Sequence, residues 1–210
     1  MNLLTESYAL QRERWPGAGR HILAQYDRET IVVYQAFRPE IGRFASRHGR
    51  FGDGFSLSRM SWIKPNFLWM MYRSGWGTKA GQEVVLAVRI RRSGFEEILA
   101  QAVLSAFDPG VHASNERWRE DLATSPVRLQ WDPDHHPSGA NEERRAIQLG
   151  LEGSALRKYA GEWAVSIEDI SPFVAEQRRR VLAKRWDELA TPREEIYPVA
   201  DREVARRLGV

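Results

Sequence analysis

Three tryptophans, Trp62, Trp69 and Trp76, stand seven residues apart within Ser58–Lys79, a spacing that on one continuous helix would put all three on a single face. Pro65 and the pair Gly75/Gly77 rule that helix out, because proline starts helices better than it continues them and glycine ends them. The segment is therefore predicted as a short buried helix opened at Pro65 and running through Tyr72. Phe67, Leu68, Met70 and Met71 are assigned to the core, as apolar side chains of that size usually are.

Interleaved with these aromatics are Arg59, Lys64, Arg73 and Lys79. Flat rings supply stacking faces and cations supply donors for an anion, so the ligand class is a nucleotide or a nucleic-acid strand. Trp62, Trp76, Lys64 and Arg73 fall at the helix ends, where backbone groups lack partners, and are the residues placed at the ligand.

The flanking sequence reads as alternating strands and helices. His21–Tyr26 and Thr30–Phe37 are strands separated by Asp27-Arg28-Glu29, and the second is rich enough in β-branched residues to be central. Pro39 then opens a helix whose Ile41, Phe44 and Ala45 recur at helical spacing. Gly52-Asp53-Gly54 is a turn. Residues 83–91 form a strand apolar on both faces, and Ser93 with Glu96 is a capping box for a helix to Leu104. A short helix over 116–122 and an alternating strand over 127–131 follow, the strand breaking at Asp132-Pro133-Asp134. Residues 142–151 are ambiguous between helix and strand. Residues 154–159 are helical, 162–168 alternate as a strand, Ser171-Pro172 caps a helix to about Leu189, and 201–208 form a last helix. The expected fold is a single α+β (mixed α/β) domain over residues 1–210 with a central mixed sheet flanked by helices.

Composition narrows the function classes. No cysteine is present, which excludes disulfides, thiolate metal sites and a cysteine nucleophile. No run approaches the length of a membrane span, and Met1–Leu10 has no secretory core, so a cytoplasmic protein without a membrane partner is expected. Of the 31 basic residues four are lysines, leaving 31 − 4 = 27 arginines. That skew fits either a GC-rich genome or phosphate contacts. No phosphate-loop motif, dinucleotide glycine fingerprint or nucleophile elbow occurs. Asp132, Asp134, His135 and His136 have the residue types of an oxygen/nitrogen metal site, but their spacing matches no helix-borne motif and Asp-Pro-Asp is ordinary turn chemistry. No metal site is assigned. Arg38, at the end of a strand, suits either a diphosphate or an ion pair with Glu40.

Val33–Ile41, Arg59–Gly77 with its aromatic block, and Arg145–Leu151 together resemble a bacterial and fungal family known only as domain of unknown function 4291. The likeness covers about 20–177, leaving 178–210 as a helical extension. A more distant likeness is to the ADP-ribosyltransferase superfamily. It implies a split sheet, NAD as the nucleotide, and transfer of ADP-ribose to nucleic acid or protein. On that likeness Arg38, with Gln35, matches the motif that holds the dinucleotide, Phe55-Ser56 the aromatic-Ser motif, and Gln148 or Glu152 the ribose-orienting residue. Trp62 or Tyr72 would stack on nicotinamide or adenine, beside Lys64 and Arg73. The sequence departs from that superfamily in having no clear Glu-x-Glu or Gln-x-Glu strand. Two other readings stay open: a non-catalytic single-strand nucleic-acid binder using the same aromatics and arginines, and a metal-dependent nuclease using Asp132, Asp134 and His135.

Overall fold

A computed structural model describes residues 3–52 and 54–210. Asp53, at the centre of one expected turn, and the first two residues of the expected non-secretory N-terminus lie outside the described residues.

In chain order the elements are β1 (Thr5–Ser7), α1 (Tyr8–Arg14), β2 (Gly19–Arg20), β3 (Leu23–Ala24), β4 (Thr30–Phe37), α2 (Pro39–His48), β5 (Ser61–Ile63), α3 (Phe67–Ser74), β6 (Val84–Arg91) and α4 (Arg92–Gln101). They continue with β7 (Ala102–Leu104), α5 (Asn115–Thr124), β8 (Val127–His135), β9 (Asn141–Leu151), α6 (Gly153–Lys158), β10 (Ala164–Asp169), α7 (Ser171–Leu182), β11 (Ala190–Pro192), β12 (Glu195–Ile196) and α8 (Arg202–Leu208). The class is α+β, as expected.

Two principal sheets organise the molecule. The first is antiparallel and three-stranded, ordered β10-β6-β4. The second runs β2-β9-β8-β7, with β5 also paired to β9. β4 was expected to be central, yet it lies at the side of its own sheet. Its buried character has a different source. The free edge of β4 is covered, Val32 donating to the Gln25 carbonyl at 2.9 Å and Tyr34 exchanging backbone hydrogen bonds with Lys64 at 2.7 and 3.2 Å. That last bridge joins the two sheets.

The alternation of strand side chains divides the core in two. Ile31, Val33, Leu86, Val88 and Ile90 face one cluster, which also takes Val127, Leu129, Leu149, Leu151 and Ile63 from the second sheet. Val32, Tyr34, Val85 and Ala87 face the other, where α1, α3 and α7 contribute Tyr8, Phe67, Met70, Met71 and Val174. Apolar residues on almost every side of α3 explain why it is buried rather than amphipathic.

Several local expectations change. α3 starts after Asn66, whose side chain accepts from Trp69 N at 2.7 Å, so Asn66 caps the helix and Pro65 stays outside it. Gly75 ends it in the left-handed conformation, φ 59°. Ser93 caps nothing, because β6 runs directly into α4 and Arg92 N is satisfied by the Glu29 carbonyl at 2.7 Å. The predicted end of that helix is drawn instead into β7, parallel to β8. The expected strand His21–Tyr26 shrinks to Leu23–Ala24.

The largest correction concerns Asp132-Pro133-Asp134. The chain does not break there, and β8 continues to His135 with a register shift between Pro133 and His135. Proline is tolerated because β7 pairs only as far as Leu129, which leaves that stretch of β8 an edge, and because the bulge absorbs the missing donor. The ambiguous segment 142–151 becomes β9, the partner of β8. Residues 178–210 are helical only in part: β11 pairs with β1 and β12 with β3, so this segment is woven into the N-terminal strands.

Candidate functional site

The second sheet has one apolar and one polar face. Val127, Leu129, Leu149, Leu151 and Ile63 enter the core. By strand alternation Arg128, Gln130 and Asp132 of β8, Gln148 and Gly150 of β9, and Trp62 with Lys64 beyond it share the opposite face. Trp62 pairs with Gly150, and a Cβ at that glycine would fall 2.9 Å from the indole and 2.6 Å from Met60 Sδ. The ring therefore lies close against the strand because residue 150 has no side chain. Trp62 stays half-buried.

Asp132 is the centre of this face. Gln130 Nε2 donates to one carboxylate oxygen at 3.0 Å and Gln148 Nε2 to the other at 2.7 Å. The side chain is fixed in orientation and half-buried, and among the described residues no arginine pairs with it.

Lys64 stands beside it. Only 4% exposed, it donates to the Trp62 carbonyl at 3.3 Å and lies 5.4 Å from the Trp69 ring centroid. No carboxylate lies within salt-bridge distance among the described residues. Burial, reinforced by the positive charge of Arg73 and opposed by Asp132, brings its pKa down to about 7.

α3 closes one side of the face. Tyr72, 46% exposed, stacks on His135 with centroids 3.5 Å apart. His135 makes this contact beyond the register shift that follows Pro133, whereas Trp131, before it, packs against the other core. Arg73 is exposed, its guanidinium donating to the Gln82 amide oxygen at 3.4 Å. Trp69 Nε1 and His135 Nδ1 are buried with no hydrogen-bond partner among the described residues.

A family model described as Domain of unknown function (DUF4291) matches residues 21–197. The chain belongs to this family. No curated protein matches it. The matched part of this DUF4291 chain extends beyond the expected limit near Gln177 and takes in β11 and β12.

Of the residues singled out from the sequence, the fold brings Trp62, Lys64 and Gln148 to the polar face, with Tyr72 and Arg73 on its α3 side. The others lie apart from Asp132. Gln35 is buried and consumed: it donates to Ser61 Oγ at 2.8 Å and the Trp62 carbonyl at 3.2 Å, and accepts from Tyr159 Oη at 2.7 Å. It locks β4 to β5. Arg38 is exposed, with Glu40 at 3.8 Å, the ion pair that the sequence offered as one of its two readings. Ser56 is exposed and bonded to Ser58. Glu152 lies past the end of β9, paired with Arg128 at 3.4 Å. Trp76 packs edge-on against Phe67 in the second core rather than at the polar face.

The acidic and histidine cluster also separates. Asp134 is buried against Arg144 at 2.6 Å, His135 stacks on Tyr72, and His136 bonds to Ser138 at 2.8 Å. Among the described residues no three His, Asp or Glu side chains are grouped so as to hold a metal ion, so the donor set of the nuclease reading is not assembled. No described helix is long and apolar enough to cross a membrane. Sequence reasoning had placed Asp132 in a turn. The available signal was the alternation of Val127, Leu129 and Trp131, which puts Gln130 and Asp132 on the opposite face once the strand is carried through Pro133.

Proposed function

We propose that the chain is a nucleotide-using transferase of ADP-ribosyltransferase type, with NAD as the donor and the polar face of the second sheet as its site. The observation that carries this reading is the Asp132 carboxylate, oriented by two amides beside a buried cation and a half-buried indole. Trp62 offers a face for nicotinamide or adenine. Lys64 and Arg73 offer charge to the diphosphate. As the bond from ribose C1′ to nicotinamide lengthens, positive charge develops on the ribose, and a preoriented carboxylate stabilises it electrostatically. Nicotinamide leaves with the bonding pair, and a nucleophile of a nucleic acid or protein attacks C1′. In this reading Asp132 takes the part first given to Gln148 or Glu152, with Gln148 as its positioning residue. Arg38 has no part.

Incubation with NAD and mixed acceptors should release nicotinamide. Asp132→Asn should lower that release by about 10²-fold or more, in the range found for loss of one electrostatic stabiliser, with NAD binding largely retained. Arg38→Ala and Glu152→Ala should leave it intact. Release unchanged in Asp132→Asn would sink the assignment.

Tyr72 favours a second reading, single-strand nucleic-acid binding, because an exposed ring already stacked on His135 and flanked by Arg73 and Lys79 is a ready base platform. That reading predicts no nicotinamide release, together with affinity for oligonucleotides that falls steeply with salt.

A further inference from the structure

A cavity of about 460 Å³ lies between α1, His136 just past the end of β8, and the turn Trp186–Glu188 that follows α7. No residue of the polar sheet face lines it. We propose that it binds a methylated ammonium group, whose head rests on the Trp186 and His136 rings with Glu13 and Asp187 as counter-ions.

The walls are aromatic and steeply inclined. The ring centroids of Tyr8 and His136 are 5.8 Å apart at 78°, and those of His136 and Trp186 are 5.0 Å apart at 69°. A cation is drawn to the faces of such rings, and rings inclined to one another present faces from more than one side. Tyr8 is almost wholly buried, whereas His136 and Trp186 are half-buried, so part of each of those two rings is open to the cavity. Among the described residues no lysine or arginine lies over the Tyr8 or Trp186 ring. The chain therefore does not fill the place of the cation itself.

These walls are held in position. Tyr8 N donates to the Leu189 carbonyl at 2.9 Å, which ties α1 to the turn carrying Trp186, and Trp186 packs against the second core. Ser138 N–H donates to His136 Nδ1 at 3.1 Å, which fixes the imidazole and leaves its proton on Nε2. Burial, reinforced by the positive charge of Arg12 and opposed by Glu142, holds His136 below the ordinary imidazole range, so at pH 7.5 the ring is neutral and does not repel a cation.

The charge of the lining selects the same ligand. Arg12 stands against Glu13 and Asp187, for a balance of 1 − 2 = −1. Neither carboxylate is paired within salt-bridge distance among the described residues. Both are exposed, and exposed charges contribute little each, so the rings carry most of the affinity. Methylation suits such a site, because a bare ammonium is strongly hydrated and would leave N–H donors facing ring carbons, whereas a methylated head loses less water on entry. The volume falls in the range of ordinary small-ligand pockets.

The test is calorimetric titration of the full chain at pH 7.5 with choline and with its neutral isostere, in which carbon replaces the quaternary nitrogen. An N-acetyl trimethyllysine amide, run in parallel, distinguishes a protein side chain from a free small molecule as the source of the head group. At least one of the two cations should bind about tenfold or more tightly than the isostere. Trp186→Leu should weaken that binding by about fivefold or more. Glu13→Gln combined with Asp187→Asn, at exposed positions, serves as the companion if Trp186→Leu disturbs folding, and should weaken it by about twofold or more. Binding of neither cation would overturn the proposal. So would an isostere that binds as tightly as choline and the amide, or affinity unchanged in every variant that folds. Binding lost in Asp132→Asn but kept in these variants would place the cation on the sheet face, and would overturn it too.

Discussion

The backbone N–H of Phe67 donates to Oε1 of Glu194 at 2.7 Å, across 127 residues of chain. Oε2 of the same carboxyl accepts from Asn66 Nδ2 at 3.2 Å. The first turn of α3 therefore takes its cap from a residue near the other end of the fold, and the helix that carries Trp69, Tyr72 and Arg73 is aimed by it. Burial holds the Glu194 carboxyl well above the usual carboxylate range.

Glu194→Ala is expected to cost about 1–3 kcal/mol, because it strands buried donors at the start of α3. Glu195→Ala, at an exposed carboxylate paired with Arg193, should change stability by about 0.5 kcal/mol or less. Urea denaturation of the two variants checks this. Equal effects would contradict the assigned role.

Lys64 makes stability depend on pH. Its folded pKa, about 7, lies below the ordinary 10.5, so between these values the unfolded chain binds more protons than the folded one. Lys64 therefore contributes a rise in stability with pH across that window, by about 1.4 kcal/mol per pH unit at most, and the raised pKa of Glu194 pulls the opposite way. The measurement belongs below about pH 9.5, since the buried phenols of Tyr34 and Tyr159, held above the ordinary 10.0, pull the opposite way at higher pH. Denaturant midpoints of Lys64→Met should lose the slope attributable to this group.

Gly150→Ala should displace Trp62, because the new methyl group would overlap the indole and Met60. Overpacking of this kind costs about 1–3 kcal/mol. Tryptophan emission should shift and NAD or oligonucleotide binding should fall. Unchanged ligand affinity would mean that Trp62 contacts no ligand.

The buried pair Asp134–Arg144 should respond differently to one change than to two. Arg144 also donates to the Pro16 carbonyl at 2.7 Å. Arg144→Met alone leaves an uncompensated buried carboxylate and should cost about 3–5 kcal/mol. Asp134→Leu with Arg144→Met should recover much of that loss in the same denaturation experiment.

Particular residues show where sequence reading stops. Pro39, Gly75 and the apolar run of β6 act on their nearest neighbours, so the start of α2, the existence of α3 and the bounds of β6 were legible, whereas the cap at Asn66 moved the start of α3 two residues past Pro65. Pro133 also acts locally, but its effect depends on whether a strand lies alongside it, and that depends on where β7 ends. The site divides in the same way. Trp62 and Lys64 share a face by simple alternation, whereas the meeting of Asp132 with Gln148 requires the β8–β9 register, which no local pattern encodes. Arg38, singled out by its place at a strand end and by likeness, lies at solvent beside Glu40, a position that only the packing around β4 decides.

The pairing of Thr5–Ser7 with Ala190–Pro192 bears on how this protein is made. On the ribosome, β1 is synthesised long before its partner β11. The Glu194 cap on α3 arrives later still. The apolar helix and the cluster beneath it are therefore unsealed until these residues are made, and chaperone binding during translation should concentrate on nascent chains that stop short of residue 190.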